Sequence, residues 1–330
     1  MTVLVTGGAG YIGSHVVRLL AERGTPCVVV DDLSTGDAAR VDGAALLRLD
    51  VAQSDAVPEL AETMSSHGIR AVIHFAAKKR VDESVMRPAW YYQQNVSGLA
   101  NVVMAMERSG ADRLVFSSSA AVYGEPADGL VPESAPALPV NPYGTTKLVG
   151  EWLVRDAVVA GVLRGALALR YFNVAGAGWD DLGDPAVLNL VTMVLERLEE
   201  GRPPLVFGTD YPTADGSCVR DFVHVLDLAR AHVAALDHLA DETVSGFDVL
   251  NVGTGRGASV LEVVTTLTRL AGSDQAPVVR PRRPGDPAAV VAAAGRIGDV
   301  LGWRSEAELD RTLESAVTAW RHARGGGAPG

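Results

Sequence analysis

Tyr143 and Lys147 stand four residues apart in "NPYGTTK" (141–147), in a chain where only three of 29 Lys and Arg side chains are lysine: Lys78, Lys79 and Lys147. Residues four apart face the same side of a helix, so a phenol and an ammonium are expected to share one space. An unperturbed tyrosine titrates near pKa ~10, and a base working near neutrality needs that value lowered by about 3, roughly 4 kcal/mol of differential stabilisation. A neighbouring ammonium contributes part of it. Pro142, directly before the tyrosine, suits the first turn of a helix. Upstream, "VFSSSAAVYG" (115–124) reads as a strand ending in three serines, of which Ser119 offers a hydroxyl to polarise the same substrate oxygen. A helix pair of packed tyrosine and solvated lysine, or a serine that merely forms a turn, is the plain reading of each feature alone. Together they point to proton transfer at a substrate oxygen.

Such a set must be held by a rigid frame, and the first half of the chain supplies one. "TVLVT" (2–6), "CVVVD" (27–31), "AVIHFA" (71–76), "RLVFSS" (113–118) and "ALALRY" (166–171) read as buried parallel strands. Helical stretches at 11–23, 53–67, 89–109 and 143–160 alternate with them. Repeated βαβ units imply an α/β fold, a Rossmann-type doubly wound parallel sheet with helices on both faces. After "RYFN" (170–173) the pattern breaks, with helices expected near 186–200, 225–240 and 259–271 and a long loop at 208–219. We therefore expect a dinucleotide-binding domain over 1–173 and a smaller α/β substrate lobe over 174–330, with segments that could cross back. The end of the chain, 324–330, is expected to be a disordered tail.

Between the first strand and the first helix, "VLVTGGAGYIGSH" spaces Gly7, Gly10 and Gly13 as G-x-x-G-x-x-G. Glycines there let backbone N–H groups approach a pyrophosphate at a helix N-terminus. Asp31 ends the second strand, where a carboxylate accepts hydrogen bonds from an adenosine ribose and repels a 2′-phosphate, so NAD is favoured over NADP. Asp50 follows the third strand, in "LRLDV", on the adenine side. "HFAAKK" (74–79) follows the fourth strand at the carboxyl edge, where such sheets bind ligands. A nicotinamide cation beside Tyr143 would add to the effect of Lys147 on the phenol.

The glycine spacing, the Ser…Tyr-x-x-x-Lys set and "RYFN" resemble the extended short-chain dehydrogenase/reductase superfamily. Two stretches, "IHFAAKKRVDESVMRP" and "YPTADGSCVRDFVHVLDLA", are similar nearly residue for residue to its UDP-glucose (UDP-galactose) 4-epimerase family, and the resemblance runs from residue 1 to about 305. It implies a tightly held NAD, a UDP-sugar substrate, inversion at C4 through a transient 4-keto sugar without net redox change, and a homodimer. It also implies roles. Tyr143 would be the base, Ser119 would position the oxygen, and Lys147 would hold the nicotinamide ribose. NAD contacts are implied at Gly7, Gly10, Tyr11, Ile12, Gly13, the loop Asp31, Asp32, Leu33, Ser34, Thr35 and Gly36, then Asp50, Val51, Phe75, Ala76, Ala77, Lys79, Gln94 and Phe172. Substrate contacts are implied at Ser119, Tyr143, Asn173, Asn189, Arg220, Arg283 and Asp286, the two arginines as a diphosphate clamp. Val290 falls where residue size limits the sugar's C2 substituent, and valine leaves room for an N-acetyl group; strand core is the equal alternative.

The chain also departs from the family pattern. Asp32 replaces an asparagine, Gln94 replaces another, "NLVT" (189–192) stands for N-L-x-P, and "AAVVAAAG" (288–295) differs from the usual end of the sugar pocket. Other readings are a 4-epimerase of an N-acetylated or uronic nucleotide sugar, a sugar-nucleotide 4,6-dehydratase, or a non-catalytic NAD-binding regulator. The dehydratase needs an acid and a base just after the catalytic serine, and Ala120 and Ala121 occupy those places. The regulator would not require the Ser119–Tyr143–Lys147 set.

Bulk properties agree with a soluble enzyme. A net charge of −11 argues against nucleic acid as the main partner. Cys27 and Cys218 make no disulfide framework and fit a reducing cytoplasm. The N-terminus lacks a basic n-region and no apolar run nears the roughly 20 residues of a membrane span, so no membrane is expected. No metal site is expected either. Lys78 has no assigned role.

Overall fold

The structure, a computed structural model of the chain, describes residues 1–126, 129–283 and 285–325. Of the tail expected at 324–330, residues 326–330 lie outside the described residues, and Arg324 caps the last helix.

Five of the strands carry a buried, mostly apolar stretch because both faces of a parallel sheet are covered. They are β1 (Thr2–Thr6), β2 (Cys27–Asp31), β4 (Ile69–His74), β5 (Arg113–Ser119) and β7 (Gly165–Tyr171). With β3 (Ala45–Arg48) and β11 (Gly246–Val252) they form one seven-stranded sheet, ordered β11-β7-β5-β4-β1-β2-β3 and parallel throughout. Side chains alternate across it. Val3, Val5 and Ile73 point to one face, which α1 (Tyr11–Glu22) and α8 (Val225–Ala240) cover, with α10 (Gly295–Leu301) alongside. Leu4, Val72 and Leu114 point to the other, under α2 (Ala56–Ser66), α5 (Gly98–Ser109) and α6 (Pro142–Val159).

The stretch 89–109 is helical throughout, as expected, but a short helix precedes it and its middle is a π turn. α3 (Val81–Met86) ends at Arg87 and α4 (Pro88–Tyr92) restarts at Pro88, whose ring and missing N–H exclude it from a helix interior but suit a first turn. A π-helical turn, Gln93–Ser97, then leads into α5.

The remaining elements make the second lobe. A five-stranded sheet is ordered β12-β10-β14-β6, with β8 also on β10, from β6 (Leu130–Val131), β8 (Asn173–Ala175), β10 (Val219–His224), β12 (Gly257–Ser259) and β14 (Ala289–Ala292). β9 (Leu205–Phe207) and β13 (Val278–Arg280) form a separate parallel pair. α7 (Leu190–Glu199), α9 (Val260–Leu270) and α11 (Leu309–Ala323) pack around Val206 and Phe222. A cut at residue 174 is crossed in both directions: α8, β11 and α10 belong to the large sheet's layers, while β6 lies in the small sheet against β14. Among the described residues no helix is long and apolar enough to cross a membrane.

Candidate active site

The turn between β1 and α1 is built for a close backbone approach. Gly7 adopts φ +67°, and a Cβ there would lie 2.6 Å from the Ala76 nitrogen. A Cβ on Gly13 would lie 2.3 Å from the Gly7 carbonyl oxygen, so only glycine lets α1 settle on the turn. No side chain caps α1 and no acidic residue sits in its first turn, which leaves its N–H groups for an anion. At the end of β2 the Asp31 carboxylate accepts the N–H of Ala9 and of Leu33, each at 2.9 Å. Burial pushes its pKa up, against those two bonds and the Lys78 charge.

These elements open onto a cavity at the carboxyl edge of the sheet. The glycine turn contributes Gly7, Gly10, Tyr11, Ile12 and Gly13, and the β2 loop contributes Asp31, Asp32, Ser34 and Thr35. Asp50 and Val51 line it beyond β3, and Phe75, Ala76, Ala77 and Lys79 beyond β4, with Gln94, Tyr143 and Lys147 completing the expected residues. Four expected residues do not line it. Leu33, in the left-handed region at φ +57°, packs on the core under α1, and Gly36 lies behind Asp31. Phe172 is buried with Val122, Tyr123 and Leu148, and Ser119 lies beside Tyr143 at the cavity's inner end. Lys78, within the stretch 74–79 expected at this edge but given no role of its own, also lines the cavity, as do Val30, Leu49 and Tyr171, which the sequence did not single out.

At the inner end α6 reads the end of β5 residue by residue. Asn141 caps the helix by accepting the Gly144 N–H at 2.9 Å, and Pro142 opens it. Three positions one turn apart, Tyr143, Lys147 and Glu151, then face the three strand-end serines. The Lys147 ammonium donates to the Ser117 carbonyl at 2.8 Å. Ser118 Oγ donates to Glu151 Oε1 at 2.5 Å, and Ser119, whose Oγ accepts the Ala121 N–H at 3.2 Å, lies beside Tyr143. Arg170, on neighbouring β7, grips Glu151 with two bonds, Nε to Oε1 at 2.8 Å and Nη2 to Oε2 at 2.6 Å. Glu151 was not singled out in the sequence, although the four-residue step from Lys147 places it on the same face.

The electrostatics differ from the sequence expectation in one respect. Burial raises the pKa of Tyr143, and only the Ser119 hydroxyl opposes it. Burial lowers Lys147 to about 8, opposed by Glu151. The ammonium is committed to the Ser117 carbonyl, so the protein alone does not lower the phenol. The positive charge that does so must arrive with a ligand.

The residues expected to touch a second ligand fall into groups. Arg220 on β10 is paired with Asp286 and lies in register with Val290 on β14. Nearby, Arg283 stacks its guanidinium 4.1 Å from the Phe207 ring. Val290 is half-buried against the Val122 and Tyr123 cluster, so it is both strand core and neighbour of Arg220. Asn173 is exposed on β8. Asn189 sits apart: it caps α7, donates to Asp184 Oδ2 at 2.8 Å and lines a second cavity with Tyr11, Arg40 and Trp320. Among the described residues no group of three or more His, Cys, Asp or Glu is placed to hold a metal ion.

Comparison with known proteins fits this geometry. Residues 3–253 match the NAD dependent epimerase/dehydratase family. The chain is 44% identical over 331 residues to a UDP-glucose 4-epimerase of Azospirillum brasilense, across 96% of this chain and 93% of that protein. Its structure superimposes with a TM-score of 0.90 on a UDP-glucose 4-epimerase of Brucella ovis in complex with NAD, 40% identical, across 96% of this chain and 97% of that one. A second match, also at TM-score 0.90 and 39% identical, is the Stenotrophomonas maltophila UDP-glucose-4-epimerase with bound NAD and formylated UDP-arabinopyranose, across 98% and 99% of the two chains. By both sequence and structure, the chain belongs to the NAD dependent epimerase/dehydratase family.

Proposed function

We propose that this chain is an isomerase that inverts C4 of a UDP-hexose, interconverting UDP-glucose and UDP-galactose through a transient 4-keto sugar, with NAD held in the cavity at the carboxyl edge of the sheet. The observation that carries it is the buried Tyr143–Lys147 pair, with the half-buried Ser119 beside it, at the inner end of a dinucleotide cavity. The cavity fits NAD: the Gly7 and Gly13 cradle admits no Cβ, and the Asp31 carboxylate lines it at the end of β2, where a ribose would lie. When bound, NAD⁺ accepts a hydride from C4 and later returns it, and its nicotinamide brings the positive charge that Tyr143 lacks.

Tyr143 Oη takes the proton of the 4-hydroxyl and gives it back, so proton bookkeeping closes within one turnover. Ser119 would hold that oxygen in place, and Lys147, anchored on the Ser117 carbonyl one helical turn from Tyr143, would hold the nicotinamide ribose. Arg220 and Arg283 would clamp the diphosphate, Arg220 giving up its pairing with Asp286 for it. Ala120 and Ala121, in the turn after Ser119, carry no proton-transfer group, which speaks against loss of water as the outcome.

The test is incubation of the purified protein with UDP-galactose and no added reductant. We expect UDP-glucose to accumulate to equilibrium; absence of C4 inversion with glucose, N-acetylated and uronic UDP-sugars alike refutes the proposal, and net water loss favours a dehydratase. The second reading, acceptance of UDP-N-acetylglucosamine, rests on Val290 beside Arg220. A preference for the plain hexose above roughly a thousandfold in kcat/KM, about 4 kcal/mol, rejects it.

We also place the reaction in the cytoplasm, which the free thiols Cys27 and Cys218 suit. The chain works as a homodimer through α5 and α6, which pack side by side and leave Met104, Trp152 and Val159 at 41%, 48% and 83% exposure. Light scattering should give twice the chain mass of 34.5 kDa, falling to one chain in Trp152→Glu. A monomeric parent protein excludes this interface.

A further inference from the structure

Lys78 and Asp32 meet across the cofactor cavity. Lys78 follows β4 and Asp32 follows β2, and β1 lies between those strands in the sheet. A contact between them therefore passes over the end of β1 and its glycine turn, bridging flanking strands roughly 10 Å apart. The Lys78 ammonium lies 3.3 Å from Asp32 Oδ2 and 2.8 Å from Ser34 Oγ. Both ends of this bridge are fixed before they meet. Asp32 Oδ1 accepts the Ser34 N–H at 2.9 Å and its hydroxyl at 2.7 Å, which orients the carboxylate. Burial pushes that carboxyl up, but the Ser34 bonds and the Lys78 charge outweigh it and hold it below its ordinary value.

On the other side, the main chain of Lys78 is clamped by the Asn95 side chain, which accepts its N–H at 2.8 Å and donates to its carbonyl at 3.0 Å. Asn95 is buried and also donates to Thr146 Oγ1 at 3.0 Å, on the catalytic helix beside Lys147. The Trp90 ring stands 5.8 Å from the ammonium. The pair is thus mounted on the same scaffold as the reacting side chains, and Asp32, Ser34 and Lys78 all line the cavity.

We propose that the Lys78–Asp32 pair is a latch across the mouth of the cavity, closing over the adenosine-ribose end of NAD and slowing its departure. The inference rests on the NAD reading above. The chemistry makes such a latch useful: inversion returns the cofactor to its starting state in each turnover, so slow release costs no rate. The side chains are only 19% and 30% exposed, which shields the pair from the screening that makes open surface bridges nearly worthless. Lys78 also places a positive charge beside two adjacent carboxylates, Asp31 and Asp32, that would otherwise oppose an anionic dinucleotide.

The experiment is exchange of bound radiolabelled NAD against excess unlabelled NAD in the parent protein, Lys78→Met, Asp32→Asn and the double variant, with melting temperature as the control for folding. Each single variant should release NAD about fivefold faster or more, with an unchanged melting temperature. The double variant should release no faster than the faster single, because the two side chains act as one unit. Added salt should speed release from the parent and have little effect on the variants. Release from Lys78→Met within twofold of the parent rate overturns the latch while leaving the cofactor reading intact. A parent protein that takes up no NAD overturns the cofactor reading, and the latch with it.

Discussion

Tyr143→Phe is expected to lower kcat by about a thousandfold, with KM for the UDP-sugar moving less than about threefold. The substitution removes one oxygen from a side chain that is 8% exposed and changes no packing. The group lost is the phenol on the catalytic helix at the inner end of the cavity, where Lys147 is spent on the Ser117 carbonyl and Ser119 is an ordinary hydroxyl. A proton acceptor works in the transition state more than in the ground state, so the loss belongs to kcat. Initial rates of inversion in the parent and variant decide it. A variant that keeps a tenth of the parent kcat removes Tyr143 from the role of base. Equal losses in affinity with unchanged kcat would make the phenol a binding group instead.

The direction of the Tyr143 shift shows where sequence reasoning stops. Spacing alone places a phenol and an ammonium on one helical face, and α6 does so. Spacing does not report what else the ammonium can reach, and the carbonyl of Ser117 is offered by a strand 30 positions away in the chain. Burial, the larger influence on both groups, is likewise a tertiary property.

The same contrast runs through the fold. β1, β2, β4, β5 and β7 are legible because a strand covered on both faces carries a continuous apolar stretch. β11, "GFDVLNV", is an edge strand whose partly exposed first half tolerates Gly and Asp, and whose buried Asn251 is satisfied by Tyr123 and the Val131 carbonyl, so it looks like loop. With it goes the crossing of the chain back into the large sheet. Lys78 is the sharpest case. Its partners Asp32 and Ser34 precede it by more than 40 positions and become neighbours only once β1 separates β2 from β4. Asn189 shows the reverse, a residue assigned by resemblance that here is committed to capping α7.

The largest expected loss of stability follows from Arg170. Arg170→Met should destabilise the protein by about 3–5 kcal/mol, because it strands the Glu151 carboxylate in the interior with Ser118 as its remaining partner. Glu151 is 3% exposed and Arg170 6%, so water does not replace the lost guanidinium. The long apolar methionine fills much of the arginine's volume, which keeps the cavity cost small beside the cost of the bare charge. A further result separates this account from simple loss of packing. Adding Glu151→Leu to Arg170→Met should recover most of the loss, as replacing both members of a buried pair by apolar groups commonly does. Urea melts of the parent, single and double variants at neutral pH measure both. The double variant should remain a poor enzyme even where it is stable, because Glu151 also holds Ser118 on the helix turn next to the Lys147–Ser117 bond. If the double variant is no more stable than Arg170→Met at neutral pH, the stranded charge is not the cause, and the arginine acts through its stacking on Tyr123 at 4.8 Å instead.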